Sequence, residues 1–135
     1  MKVIIDTNLW ISFLIGKRLA VLSSLLTNPH LSVFVCDELL KEIETTSSKQ
    51  KIRKYVGDDD VIDTFRIIKK YCKHVIINET AVSPVRDMKD LYLLSLADMV
   101  QADYILTGDK DLLELQFHNH TKIVKYNEFK VFAPK

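Results

Sequence analysis

Glycine is scarce, with three residues in a chain of 135. That scarcity removes the Gly-rich phosphate cradles of the GxxxxGK or GxGxxG kind, whose backbone must approach a nucleotide closely, so ATP-dependent and dinucleotide chemistries have no support. Cysteine is equally sparse. Cys36 and Cys72 lie far apart with no CxxC or Cys/His spacing, which argues against a zinc site or a disulfide framework and for reduced, buried thiols. An excess of one charge is missing too. With 19 Lys and Arg against 18 Asp and Glu the net charge is +1, so no strong global field draws the chain to nucleic acid or to an anionic membrane. No apolar run approaches the roughly 20 residues needed to cross a bilayer, and no basic segment followed by a long apolar stretch opens the chain. A soluble, cytoplasmic protein with no membrane partner is the expectation.

A hydrophobic content of 47% fills one core at this length, so residues 1–135 are expected to form a single domain. There is no internal repeat and no low-complexity segment. Val3, Ile4 and Ile5 form an apolar run without alternation, which suits a strand buried on both faces, as in a parallel sheet covered by helices. Leu31 to Val35, Val75 to Ile77 and Tyr104 to Thr107 read as further strands, and Ile123-Val124 as a last edge strand. Between them helical spacing predicts a turn over Leu9 to Phe13, then helices over Lys17 to Leu26, Asp37 to Thr46, Lys49 to Val56 and from a first turn at Asp58 to Asp60 through Tyr71. A helix opening near Asp90, a short one over Leu112 to Leu115 and a terminal turn over Asn127 to Phe132 follow. Asp37 is placed as a helix cap, and Asn78 to Val85 as a loop. Strands alternating with helices indicate an α/β fold with a mainly parallel central sheet of about four to five strands.

The acids are distributed unevenly over this pattern. Asp58, Asp59 and Asp60 open a helix, where the positive end of its dipole favours them, so they read as capping rather than as a metal site. Asp6 and Asp109 instead follow apolar strands, the second after Gly108. At that place an Asp can cap the next helix or do chemistry, and both readings stand. Asp90 and Glu42 lie on helices that can lead away from the same sheet edge. Four carboxylates gathered there repel, by roughly 4 kcal/mol for a pair 4 Å apart at an effective dielectric near 20, unless one protonates or a cation intervenes. A set of oxygens with no paired His or Cys suits Mg²⁺ or Mn²⁺ and hydrolysis of phosphodiesters. The basic runs Lys49, Lys51, Arg53, Lys54 and Lys69, Lys70, Lys73, His74 read first as solvated faces. His118 and His120 are placed in an exposed loop without a role.

Val-Ile-Ile-Asp-Thr-Asn at the start, Asp-Glu-Leu-Leu-Lys-Glu-Ile in the middle, Arg-Asp-Met-Lys-Asp, and Ala-Asp-Tyr-Ile-Leu-Thr-Gly-Asp-Lys-Asp-Leu-Leu resemble a PIN domain over nearly the whole chain. The likeness is closest to stand-alone bacterial and archaeal PIN proteins assigned as toxins of toxin–antitoxin systems. It implies a three-layer PIN-like fold and a metal-dependent ribonuclease acting on RNA, with a small antitoxin and a homodimer as partners. Asp6, Glu42, Asp90 and Asp109 match the four acids, of which Asp6, Asp90 and Asp109 are implied ligands of Mg²⁺ or Mn²⁺. Asn8 is implied to orient a carboxylate or a metal-bound water, and Asp111 matches a further acid beside the fourth; Thr107 is a supporting candidate, and Asp87 is read as a ligand, a helix cap or an exposed charge. Glu38, four residues before Glu42, keeps a structural reading. Two departures stand out: Met88 where relatives commonly have Pro, and Leu91 where many have a second polar residue after the third acid. They favour an alternative, a catalytically weak PIN module that binds RNA or a partner protein. A phospho-acceptor domain, which also gathers acids at a sheet edge, is disfavoured because the usual strand-end Lys is lacking.

Overall fold

The computed structural model describes residues 1–78 and 90–134. Among these, six strands form one sheet in the order β3-β2-β1-β4-β6-β5. β1 (Lys2–Ile5) lies between β2 (Ser32–Val35) and β4 (Tyr104–Leu106), parallel to both. β3 (Lys73–His74) extends the sheet beyond β2, and β6 (Thr121–Val124) extends it beyond β4, again in parallel. Val3, Ile4 and Ile5 are all fully buried. Successive strand residues point to opposite faces, so three in a row with no exposure mean that both faces of β1 are covered, giving a three-layer α/β fold.

α1 (Thr7–Ile15) starts immediately after β1 and packs on α2 (Leu19–Thr27), α3 (Asp37–Ser47) and α5 (Asp58–Tyr71). The Trp10 indole N–H donates to the Ile5 carbonyl at 2.9 Å in the core, fixing the angle at which the chain leaves the strand. α4 (Gln50–Arg53) is a single turn, shorter than the helix expected over Lys49 to Val56. α6 (Leu91–Val100) packs on β1, α7 (Lys110–Leu115) on β6, and α8 (Tyr126–Phe132) seats Phe129 against Tyr104. Asp58, Asp59 and Asp60 occupy the first turn of α5, and Asp60 accepts from the Gly57 amide at 3.0 Å, as capping requires.

The structure corrects the sequence reading at four further places. The third strand is Lys73–His74 rather than Val75 to Ile77; only the Val75 amide continues the ladder, donating to the Val35 carbonyl. The N-cap of α3 is Cys36, while Asp37 is already in the first turn and pairs with His74 at 2.7 Å. Ile123-Val124 is not an edge. β6 is covered by β5 (Phe117–His118), an antiparallel strand reached through a turn in which Asn119 has φ 53°. His118 is accordingly buried rather than in an exposed loop, and its Nε2 meets Asp98 on α6 at 3.0 Å. The expected loop over Asn78 to Val85, beyond Asn78 itself, lies outside the described residues, as do Arg86, Asp87, Met88 and Lys89.

Candidate active site at the carboxyl edge of the sheet

The register of two strands brings the first and fourth acids together. Ile5 is opposite Leu106, and the Asp6 amide donates to the Leu106 carbonyl at 2.9 Å, so Asp6 and Thr107 are neighbours one residue beyond the paired strands. Parallel strands lie about 4.8 Å apart, within reach of a short side chain. The Thr107 hydroxyl donates to Asp6 Oδ2 at 2.7 Å and accepts from the Asp109 amide at 3.0 Å. One buried hydroxyl therefore ties both acids to the same edge.

Both aspartates occupy N-cap positions, and they use them differently. Asp109 Oδ1 accepts from the amides of Asp111 and Leu112, at 2.8 and 3.4 Å, and so caps α7. Asp6 precedes α1 with extended backbone but forms no capping bond of that kind. It is 4% exposed. Burial, and then repulsion from Glu42 and Asp109, raises its pKa, against the opposing effect of the Thr107 hydroxyl and the Thr7 amide.

Glu42 comes from the second turn of α3. Side chains on a helix tilt toward its N-terminus, so a carboxylate there leans back toward the strand ends. It is held by two hydroxyls on one oxygen: Thr7 donates to Oε2 at 2.6 Å and Tyr92 donates to the same atom at 2.7 Å. The two hydroxyl oxygens lie 3.4 Å apart. Burial and the neighbouring acids Glu42 and Asp6 push the Tyr92 hydroxyl well above its ordinary value, which keeps it a proton donor at any working pH. Asp90 is the N-cap residue of α6, two residues before Tyr92, and Tyr92 is the residue that this helix start brings onto Glu42.

Of the remaining predicted positions, Asn8 is exposed on the first turn of α1, and Asp111 is half-buried beside Asp109. Glu38 is exposed, in line with its structural reading. Lys49, Lys51, Arg53, Lys54, Lys69 and Lys70 are all exposed, and Arg53 pairs with Asp58. No pattern in the sequence marks Tyr92. It sits within an apolar stretch of α6, and only the position of Glu42 on a different helix shows what its hydroxyl is for.

A family model described as PIN domain matches residues 2–111. The chain belongs to the PIN domain family. It is also similar to an uncharacterized protein of Methanocaldococcus jannaschii, 34% identical over 143 aligned positions that cover 100% of this chain and 88% of that protein. PIN membership points to nuclease chemistry and RNA as substrate, and it accommodates the acidic edge described above. Among the described residues no helix is long and apolar enough to cross a membrane.

PIN nucleases typically use divalent metal ions. Among the described residues no three Asp, Glu, His or Cys side chains close into a ready-made cage. The donor chemistry nevertheless fits such an ion. The acids at this edge offer only oxygen, and they sit close enough for Glu42 and Asp109 both to disfavour charge on Asp6. An open, oxygen-only set suits a hard cation that keeps several of its own waters. Cysteine chemistry does not compete, because burial pushes the thiols of Cys36 and Cys72 up to about 11 and about 12, leaving both protonated at neutral pH.

Proposed function

We propose that this PIN protein is an Mg²⁺- or Mn²⁺-dependent endoribonuclease that hydrolyses RNA phosphodiester bonds, acting as the toxin of a toxin–antitoxin pair. The observation that carries the reading is Asp6: a buried carboxylate at a strand end, uncapped, with its charge disfavoured by two further acids. Such an arrangement costs stability in the absence of a cation and is relieved by one. Asp6, Asp90 and Asp109 would hold one or two ions, with Asp87 and Asp111 as supporting acids. The bound ion supplies Lewis-acid polarisation of the phosphate and lowers the pKa of the attacking water. Glu42, fixed by Thr7 and Tyr92, would serve as a further ligand or orient the attacking water. Asn8, exposed on the first turn of α1, would orient a carboxylate or a metal-bound water through its amide. Lys110 and Lys125, exposed just beyond β4 and β6, position the phosphate backbone without reading sequence.

The toxin assignment rests on the motif resemblance, with residues 1–135 read as one domain in a cytoplasmic setting and a small antitoxin and a second copy as protein partners. Induced expression is expected to arrest growth, and the Asp6→Asn form to be harmless. The decisive experiment is RNA cleavage by protein purified free of host nuclease. Cleavage is expected to need Mn²⁺ or Mg²⁺, to stop in EDTA and to disappear in Asp6→Asn. Metal-independent cleavage, or an Asp6→Asn protein as active as the wild type, overturns the proposal. Leu91 directly after Asp90 favours a second reading, a module that binds RNA or a partner protein with little catalysis, since an apolar side chain there withholds a polar group from the third acid. RNA affinity retained without metal-dependent cleavage would select it.

A further inference from the structure

We propose that Tyr92 is a positioning residue for the nuclease reaction: with Thr7 it pins one oxygen of Glu42, Oε2, and thereby presents the other, Oε1, to the bound cation or its water. This inference rests on the nuclease reading above.

The argument begins with how many donors meet the carboxylate and where. Thr7 arrives from the first turn of α1 and Tyr92 from the first turn of α6, so the two donors come from different elements, neither of them α3. Both donate to Oε2, at 2.6 and 2.7 Å, whereas Oε1 receives no hydrogen bond among the described residues. A carboxylate held only to satisfy its charge gains most by spreading donors over both oxygens. Two short bonds on one oxygen instead fix the plane of the group and leave the second oxygen available. Glutamate has three side-chain torsions, so without such a clamp its carboxylate samples several positions, and each step away from the productive one lowers the rate.

Tyrosine suits this task better than a second serine or threonine. Its hydroxyl sits at the end of a rigid ring with two torsions, and the half-buried ring packs against the core. The ring's position is set by α6, whose N-cap is Asp90. A shift of that helix therefore moves an implied metal ligand and the Glu42 clamp together, which couples the third acid to the second through two residues of sequence.

The test uses Tyr92→Phe, which keeps the ring and removes only the donor, together with Glu42→Gln and the double variant. Thr7→Val and Thr7→Ser provide a second pair from the other side of the clamp, so the test does not depend on one variant folding. Each full-length protein is titrated with Mn²⁺ alone by calorimetry, and kcat and KM are measured on a single-stranded RNA at a temperature where all are folded. Tyr92→Phe is expected to lower kcat or Mn²⁺ affinity by about 10–100-fold with KM for RNA nearly unchanged. Thr7→Val is expected to behave similarly and Thr7→Ser to restore function. In the Glu42→Gln background, Tyr92→Phe is expected to add little, because the group it positions is already altered. A wild type that binds Mn²⁺ and cleaves RNA, with Tyr92→Phe equal to it in kcat and Mn²⁺ affinity, overturns this inference alone. Additive losses in the double variant also overturn it, since Tyr92 would then act elsewhere. A wild type that neither binds Mn²⁺ nor cleaves overturns the nuclease reading and this inference with it.

Discussion

Asp6 and Asp109 stand in matching places: each follows a buried parallel strand, each has extended backbone, and each occupies the N-cap of the next helix. Their carboxylates nevertheless lead different lives. Asp109 accepts two amides of α7, so its presence would be understandable in a protein with no active site. Asp6 forms no cap, is buried, and has its pKa raised. A buried acid whose folded environment disfavours its charge works against stability at neutral pH, and such local conflicts concentrate at functional sites. Strand followed by aspartate is thus a motif with two meanings, and burial without a cap separates them.

The hardest blow to this contrast is Asp6→Asn. Under the nuclease reading it removes a cation ligand, and RNA cleavage is expected to fall by more than the about 10–100-fold typical of losing an outer partner. Stability is expected to move the other way. Because the Asp6 pKa is raised above 3.8, the native state holds a proton more tightly than the unfolded chain does. The wild type therefore loses stability as pH rises through the interval above that value, and the asparagine variant does not. Thermal melts in EDTA should show Asp6→Asn as the more stable protein at neutral pH, with the difference closing on acidification toward 3.8. A variant less stable at neutral pH would mean that Asp6 is structural after all.

Asp109 needs two substitutions because it has two jobs. Asp109→Ala removes the cap and the charge together and is expected to cost about 1 kcal/mol of stability along with nearly all cleavage. Asp109→Ser keeps an N-cap acceptor, so stability should return while cleavage stays lost. Comparison of urea midpoints with RNA cleavage rates separates the two roles. If the serine variant cleaves normally, Asp109 is a cap and nothing more.

Strand-end aspartates are legible in a sequence because a local pattern carries them. Val3-Ile4-Ile5 followed by Asp6 contains its own explanation, since strand burial and strand end are both local, and the same holds for Asp109. Glu42 looked like half of an ordinary exposed pair with Glu38; helical spacing alone does not say which of the two faces α1, and only the family resemblance chose. Tyr92 lay beyond reach, because its meaning is a contact spanning fifty residues. The β5 strand has no local signal for a related reason. Phe117-His118 is two residues long, and its turn uses a non-glycine residue at positive φ, so the usual glycine signal for a hairpin is absent.

Thr107 joins the two aspartates, so Thr107→Val tests whether they act as a unit. The variant strips a donor from Asp6 and an acceptor from the Asp109 amide at a position 1% exposed, at a cost of about 1–3 kcal/mol. The Thr107 hydroxyl is also the main influence lowering the Asp6 pKa, so its loss should raise that pKa further. The acid limb of the pH–rate profile is then expected to shift to higher pH, with Thr107→Ser restoring it. A profile that keeps its limb while the rate falls would place the two acids in separate roles.

Asp60 supplies the mirror image and the smallest effect. Its carboxylate accepts from Lys17 at 2.7 Å and from the Gly57 amide, and these, the Lys17 bond first, lower its pKa. The sign is therefore reversed: the stabilisation is present above 3.8 and is lost as pH falls through the lowered folded value. Lys17 is 61% exposed, so solvent and salt screen the pair, and Asp60→Asn is expected to cost less than about 1 kcal/mol at neutral pH. That cost should shrink in high salt and vanish in acid, without any change in cleavage. Melts of Asp6→Asn and Asp60→Asn run side by side from neutral pH downward should thus converge on the wild type from opposite sides. Convergence from the same side would mean that burial does not set the behaviour of Asp6, and the distinction between the two strand-end aspartates would lose its physical basis.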